Sequence, residues 1–212
     1  MKVFGASLLL LVMAFGLDAA SVSGRVRFIG RASGFTAPGF VYAEALEGGR
    51  VQPGQFKMAQ KNKTFVPHVL AVPTGSSIAF PNEDPIFHNV FSLSRPGSFD
   101  LGLYRDGASK TRMFTSPATY HVFCNIHPQM SAIILVVPTS FIAEIDSAGN
   151  YRLDLPAGRY RISAWSERAE ASTMEVNVGT AALTAPELTL DESHFVESQH
   201  KNKFGQDYPK QN

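Results

Sequence analysis

The chain has one cysteine, Cys124, among 212 residues, so it contains no partner with which that thiol could form an internal disulfide. After Leu17 no apolar run of about 18 residues follows, which argues against a membrane-spanning helix. Charged residues make up 17% of the chain and the net charge is +1, without the concentrated basic face of nucleic-acid-binding proteins. We therefore expect a protein that neither spans a membrane nor binds nucleic acid.

The N-terminus is typical of a secretory signal peptide. Lys2 precedes an apolar stretch over residues 3–17, and small residues follow at positions 19–21. We predict a signal peptide at residues 1–20 and a mature protein that is periplasmic or secreted. An unpaired thiol is a liability in such an oxidising compartment, so Cys124 should be shielded by burial or by a metal.

Cys124 opens the motif Cys-x2-His-x2-Met, which continues with His127 and Met130. A thiolate, an imidazole and a thioether on one short loop suit copper, because both of its common oxidation states tolerate this mixed set. A second imidazole is available from His88, in the upstream sequence Phe-His-Asn-Val. We predict one copper ion bound by His88, Cys124, His127 and Met130, which is the ligand set of a blue-copper electron-transfer site.

Each of these side chains also has an ordinary structural alternative. A lone cysteine is often a plain buried thiol, and methionine fills apolar cores freely. A tetrahedral site of sulfur and nitrogen ligands would also accept zinc, although a buried thioether argues against that metal. The spacing of the motif favours copper ligation, and we assign structural roles to the remaining histidines, which are His68, His121, His194 and His200.

The pattern of apolar residues after the signal peptide predicts an all-β fold. No helical period is sustained over three turns, and short apolar or alternating runs are separated by Gly, Pro, Asn and Asp. In the strand that leads to Cys124, alternation places Tyr120, Val122 and Cys124 on one face and His121 on the other. The strands predicted before residue 138 are 24–29, 40–46, 65–72, 76–80, 87–91, 119–124 and 132–137.

A second β unit is predicted over residues 139–190, after a copper unit at residues 21–138 that carries an N-terminal extension. Its predicted strands are 141–145, 151–155, 159–165, 172–178 and 187–190, enough for a small second sandwich with Trp165 in its core. Residues 191–212 are polar and form a tail that Phe195, Phe204 and Tyr208 could hold against the body.

Residues 56–137 resemble the cupredoxins, the superfamily of plastocyanin and azurin, and the Cys-x2-His-x2-Met loop looks most like that of amicyanin and pseudoazurin. Phe-Pro-Asn-Glu-Asp from Phe80 and Phe-His-Asn-Val-Phe-Ser from Phe87 are similar to exported bacterial proteins labelled methylamine-utilisation or plastocyanin-like. The resemblance implies a Greek-key β-sandwich with copper near one end.

The resemblance also implies roles for single residues. His88, Cys124 and His127 would form a trigonal plane around copper, with Met130 as the weak axial contact. Asn89 would hold the ligand loops together by hydrogen bonds. The unit at 139–190, with Asp-Ser-Ala-Gly-Asn-Tyr followed by Leu-Pro-Ala-Gly-Arg-Tyr, resembles the carboxypeptidase regulatory-like, or transthyretin-like, domain.

The sequence favours an electron carrier over an enzyme. It has no His-Glu-x-x-His and no Gly-x-Ser-x-Gly motif, and a copper oxidase or nitrite reductase would need more histidine clusters than six histidines supply. We expect an exported type 1 copper protein that exchanges electrons with a redox partner protein, through the edge of His127. Pro85, Ile86, Ile126 and Pro128 would form an apolar rim around that edge. The alternative is a copper-binding or carrier module that docks an envelope partner through its second β unit.

Overall fold

The structure is a computed structural model, which describes residues 19–196 and 200–208. Most of the predicted signal peptide, residues 1–18, therefore lies outside the described residues. The all-β prediction is confirmed, because the described secondary structure consists of strands. These strands are β1 (Ala20–Ile29), β2 (Phe40–Ala45), β3 (Gln55–Lys57), β4 (Ala59–Lys61), β5 (Thr64–Val66), β6 (Val69–Pro73), β7 (Ser76–Pro81), β8 (His88–Ser92), β9 (Phe99–Tyr104), β10 (Ser109–Phe114), β11 (Ala118–Phe123), β12 (Ser131–Val137), β13 (Phe141–Glu144), β14 (Asn150–Leu155), β15 (Gly158–Ser166), β16 (Ala169–Val178), β17 (Leu183–Thr184) and β18 (Leu188–Asp191).

Strands β3 to β12 form a first unit with two main sheets. One sheet has the order β6-β12-β11-β8-β9 and the other β10-β7-β3, while β4 and β5 form a separate hairpin. Apolar side chains from both sheets share one core, in which Phe80 and Phe114 meet Tyr120 and Ile134. The alternation predicted for β11 is confirmed, since Tyr120, Val122 and the following Cys124 are buried whereas His121 is exposed.

The first two strands belong with the last six, which form the second unit. Strand β1 pairs with β14, β17 and β18, and the other sheet has the order β13-β2-β15-β16. Residues 21–54, expected as an extension of the copper unit, therefore supply β1 and β2 to the sheets of the second unit. Val22 and Val41 lie in the same core as Leu153 and Ile162. Strand pairing across more than 100 residues leaves no local signal in the sequence. This is why β1 and β2 were assigned to the copper unit instead of the second unit.

The two units pack against each other through a third apolar cluster. Strand β12 contributes Ile133 to this contact on one face and Ile134 to the first core on the other. This double burial explains the continuous apolar run over residues 132–137. Trp165 was expected in the core of the second unit and instead lies at the contact between the units. The members of this cluster are Phe40, Val69, Ile133, Leu135, Val137 and Trp165.

Strands β9 and β10 were not predicted from the sequence. Strand β10 has the sequence Ser-Lys-Thr-Arg-Met-Phe, in which Phe114 is buried and the other side chains are exposed or partly exposed. The alternation of apolar residues is therefore too weak to predict a strand. Strand β9 contains Gly102 at a φ of 70°, which interrupts the usual strand pattern. Within residues 19–196 and 200–208 there is no helix of the length and apolarity that crossing a membrane requires.

Candidate metal centre

The Cys-x2-His-x2-Met motif forms the loop between β11 and β12. These strands pair antiparallel as far as Phe123 and Ser131, so the seven residues between them must turn back within one hairpin loop. Two backbone hydrogen bonds close the loop, from Cys124 N to the Met130 carbonyl at 3.2 Å and from Met130 N to the His127 carbonyl at 3.0 Å. The local fold therefore brings the three predicted loop ligands to one end of the sheet.

His88 reaches the same place from the neighbouring strand. It is the first residue of β8, which pairs with β11 through Phe91 and Phe123. The two histidine Nδ1 atoms, of His88 and His127, lie 3.1 Å apart. The Cys124 Sγ lies 3.9 Å from the Nδ1 of His88 and 3.7 Å from that of His127. Three potential donor atoms thus face one another.

These separations fit a single metal ion among the three donors. Metal–nitrogen bonds of about 2.0–2.1 Å and a metal–sulfur bond of about 2.3 Å place donors in a trigonal plane roughly 3.5–3.8 Å apart. The two sulfur–nitrogen distances are of this size, and the shorter distance of 3.1 Å between the two nitrogens corresponds to a smaller angle at the metal. Cys124 and His88 are fully shielded from solvent. The donor chemistry, one soft thiolate with two imidazoles, suits copper and would also accept zinc.

Met130 lies at the far end of the loop and is fully buried. Its side chain belongs to the same apolar core as Cys124, and in sequence it follows His127 by three residues. Its proposed axial contact to the metal remains a prediction from the motif.

His88 is oriented by a carboxylate that the sequence prediction overlooked. The Nε2 atom of His88 lies 2.8 Å from Asp84 Oδ2, deep in the protein. Because Nε2 donates to Asp84, the Nδ1 atom is left as a lone-pair donor directed at Cys124 and His127. The sequence signal that could have identified this partner is an acidic residue four positions before the histidine, within Asn-Glu-Asp-Pro.

Asp84 is itself held in place by backbone groups. The N–H groups of Asn62 and Lys63 donate to its two oxygens at 2.6 Å and 2.8 Å. Burial alone would raise the pKa of Asp84, but the hydrogen bonds from Lys63, His88 and Asn62 outweigh it and hold the pKa below its usual value. The carboxylate therefore stays ionised and keeps accepting the proton of His88.

Asn89 has a different partner from the one expected. Its side-chain Nδ2 donates to Asp100 Oδ1 on β9 at 2.6 Å, rather than to the loop of Cys124. Burial raises the pKa of Asp100, but hydrogen bonds from Lys203, Gly102 and Asn89 outweigh it, so the net pKa is lowered. Asn89 thus fixes β8 to β9 directly beside His88.

His127 is the donor nearest to solvent. It is partly exposed, whereas Cys124 and His88 are buried. Burial and the neighbouring ring of His88 lower the pKa of His127, which favours the neutral imidazole that a metal binds. Ile126, the residue before His127, is 43% exposed, and Phe87, the residue before His88, is 53% exposed. Of the other predicted rim residues, Pro85 is exposed, and Ile86 and Pro128 are partly covered.

Comparisons with known proteins give partial structural matches. No family model matches the chain, and no curated protein matches it. The copper-containing nitrite reductase (NirK) from Thermus scotoductus SA-01 is 27% identical, with a TM-score of 0.38, over 44% of this chain and 25% of the reductase chain. A purple cupredoxin from Nitrosopumilus maritimus is 19% identical, with a TM-score of 0.35, over 38% of this chain and 98% of its own. A reduced variant of amicyanin is 20% identical, with a TM-score of 0.38, over 41% of this chain and 86% of the amicyanin chain. The chain spans a quarter of the reductase.

Proposed function

We propose that this protein is an exported copper protein that carries single electrons. The observation behind the proposal is the convergence of His88, Cys124 and His127, whose donor atoms lie within 4.8 Å of one another. A buried, ready-made set of one thiolate and two imidazoles accepts both oxidation states of copper. Such a site needs little rearrangement when an electron enters or leaves, which is the property that a carrier requires.

The ligand roles follow from position and chemistry. His88, Cys124 and His127 would hold one copper ion, and Met130 would be the weak axial ligand that tunes the potential. Copper, when bound, supplies the one-electron redox change. Asp84 fixes the ring of His88 from behind, and the paired strands β8 and β11 set the distance between the two parts of the site.

The site of electron exchange is the partly exposed edge of His127. Ile126 directly precedes His127, and Pro85 lies in the turn before His88. Both side chains are exposed. A small apolar rim of this kind suits a transient redox partner protein, because such encounters bury little area and must separate quickly. We propose no enzymatic activity, since a carrier needs no substrate pocket.

The test is to load the metal-free protein with Cu(II) and record visible absorption and voltammetry. We expect an intense blue thiolate-to-copper band and a reversible one-electron wave. Tight copper binding without a reversible wave would instead support a copper carrier module. The proposal would be contradicted if the protein bound zinc as well as it bound copper and formed no coloured complex with copper. Export is tested separately, by determining the N-terminus of the mature protein from its native host, which we expect near residue 20 or 21.

A further inference from the structure

The C-terminal segment 200–208, here called the strap, lies on the ligand loop. The Tyr208 hydroxyl donates to the carbonyl of Cys124 at 2.9 Å. The His200 Nε2 donates to the carbonyl of Pro128 at 2.6 Å. Between them, the backbone N–H of Lys203 donates to the side-chain oxygen of Asn125 at 3.0 Å. The strap therefore contacts the loop at three positions.

The strap also packs on the strand that leads into the loop. The ring of His200 stacks on Phe123, with centroids 4.0 Å apart and planes at 20°. Tyr208 meets the other side of the His200 ring edge-on, at 5.2 Å and 84°. Phe123 directly precedes Cys124, which makes this stack part of the support of the thiol.

A salt bridge joins the strap to β9, the strand that pairs with the His88-bearing β8. Lys203 Nζ lies 2.7 Å from Asp100 Oδ2, and Asp100 accepts the side-chain hydrogen bond of Asn89, the residue after His88. One segment thus touches both sides of the site, the loop with Cys124 and the β8–β9 pair beside His88.

We propose that His200 and Tyr208 are positioning residues of the metal centre, which hold the ligand loop in its binding shape before any metal arrives. The inference rests on the proposed function, because it assigns a role toward the same site. The two backbone hydrogen bonds that close the loop fix its ends, whereas the carbonyls of Cys124 and Pro128 point outward to strap donors. Without the strap these groups turn to water and the loop samples more conformations.

The experiment compares single variants of the full chain. Tyr208→Phe removes only the hydroxyl, and His200→Leu removes the donor and the stacking ring. Tyr120→Phe is the matched control, because its hydroxyl donates to a carbonyl, that of Ser116 at 3.1 Å, in the same unit but away from the loop. Two quantities are measured, hydrogen exchange of the loop amides in the metal-free protein and the rate of Cu(I) transfer to a chelator.

We expect Tyr208→Phe to speed exchange of the hydrogen-bonded Cys124 and Met130 amides by about fivefold, the effect of losing one hydrogen bond, and His200→Leu to speed it more, because it also loses the stack on Phe123. Copper transfer should accelerate by a similar factor, while the urea midpoint of the whole protein falls no further in Tyr208→Phe than in Tyr120→Phe, which loses one hydrogen bond elsewhere. His200→Gln keeps a donor and should recover part of the loss. Unchanged loop exchange, or a change no larger than in Tyr120→Phe, would overturn the inference. Because exchange is measured without metal, failure of copper binding would count against the proposed function and not against the strap.

Discussion

Cys124 is the residue on which the proposed metal chemistry depends. It is the chain's sole thiol, it is buried, and its sulfur faces two imidazole nitrogens. Cys124→Ser should abolish the blue band even in excess copper, because a hydroxyl does not give the thiolate-to-copper transition. The measurement is visible absorption during a Cu(II) titration. A band that survived in this variant would refute the site assignment.

Met130 should tune the site rather than hold the metal. Met130→Gln replaces a soft thioether by a harder oxygen or nitrogen donor, which stabilises Cu(II) relative to Cu(I). We therefore expect copper to remain bound and the reduction potential to fall, as measured by voltammetry. A collapse of copper affinity in this variant would show that Met130 is not a weak axial ligand.

Asp84 should control metal affinity without touching the metal. Asp84→Asn removes the carboxylate that accepts the Nε2 proton of His88 and two backbone N–H bonds. Loss of such a partner typically weakens metal binding by about 10–100-fold. The control is Glu83→Gln, since the adjacent Glu83 pairs with the exposed Lys57 and Lys61. Equal affinities of the two variants, measured by competition with a chelator, would contradict the role of Asp84.

At the scale of elements, the β11–β12 hairpin provides three of the four proposed ligands and the rim residues Ile126 and Pro128. Ile126→Glu adds charge beside His127 without changing a donor atom, so absorption and potential should stay nearly constant. Electron exchange with the redox partner should slow several-fold, since weak apolar docking tolerates an unpaired charge poorly. Met113→Glu is the control, as Met113 is 58% exposed on β10. If Ile126→Glu exchanged electrons as fast as the wild type in stopped-flow experiments, transfer through this loop would have to be abandoned.

At the scale of the whole molecule, an apolar contact joins the two units. The outer face of β12, with Ile133, Leu135 and Val137, is covered by Phe40 and Trp165 of the second unit. A chain ending at residue 137 would expose this face and leave β1 and β2 without partners. Such a fragment keeps all four proposed ligands, but it should be less soluble than the full chain, as measured by the soluble fraction after expression.

The contact between the units also contains a titratable pair. His68 Nε2 lies 2.8 Å from Glu167 Oε2, and its Nδ1 lies 3.1 Å from the carbonyl of Ser131. The hydrogen bond that His68 donates to the Glu167 carboxylate outweighs burial and raises the pKa of His68 above its usual value. A histidine whose pKa is higher in the folded state than in the unfolded state stabilises the protein when it is protonated. This stabilisation is complete at pH values below the unfolded-state pKa of about 6.5, and it is lost as the pH rises through the folded-state pKa.

Replacing His68 should therefore matter in acid and not in base. We expect the free energy of unfolding of His68→Gln to fall below the wild type at about pH 5.5 and to approach it at about pH 8.5. Urea denaturation at both pH values measures the difference, with the exposed His194→Gln as control. A deficit that stayed constant between the two pH values would show that the charge of His68 plays no part.

The sequence alone determined the all-β class, the inward face of β11 and the three donors that the structure brings together, because alternation and loop spacing are local properties of the chain. Tertiary structure decided which strands share a sheet. Strand β1 pairs with β14 and β18, and nothing in residues 20–29 marks those distant partners. It also decided the outer supports of the site, since Tyr208 meets Cys124 and Lys203 meets Asp100 only after the chain has folded. Contacts of this kind depend on pairing between segments far apart in the chain, a physical choice that no local pattern encodes.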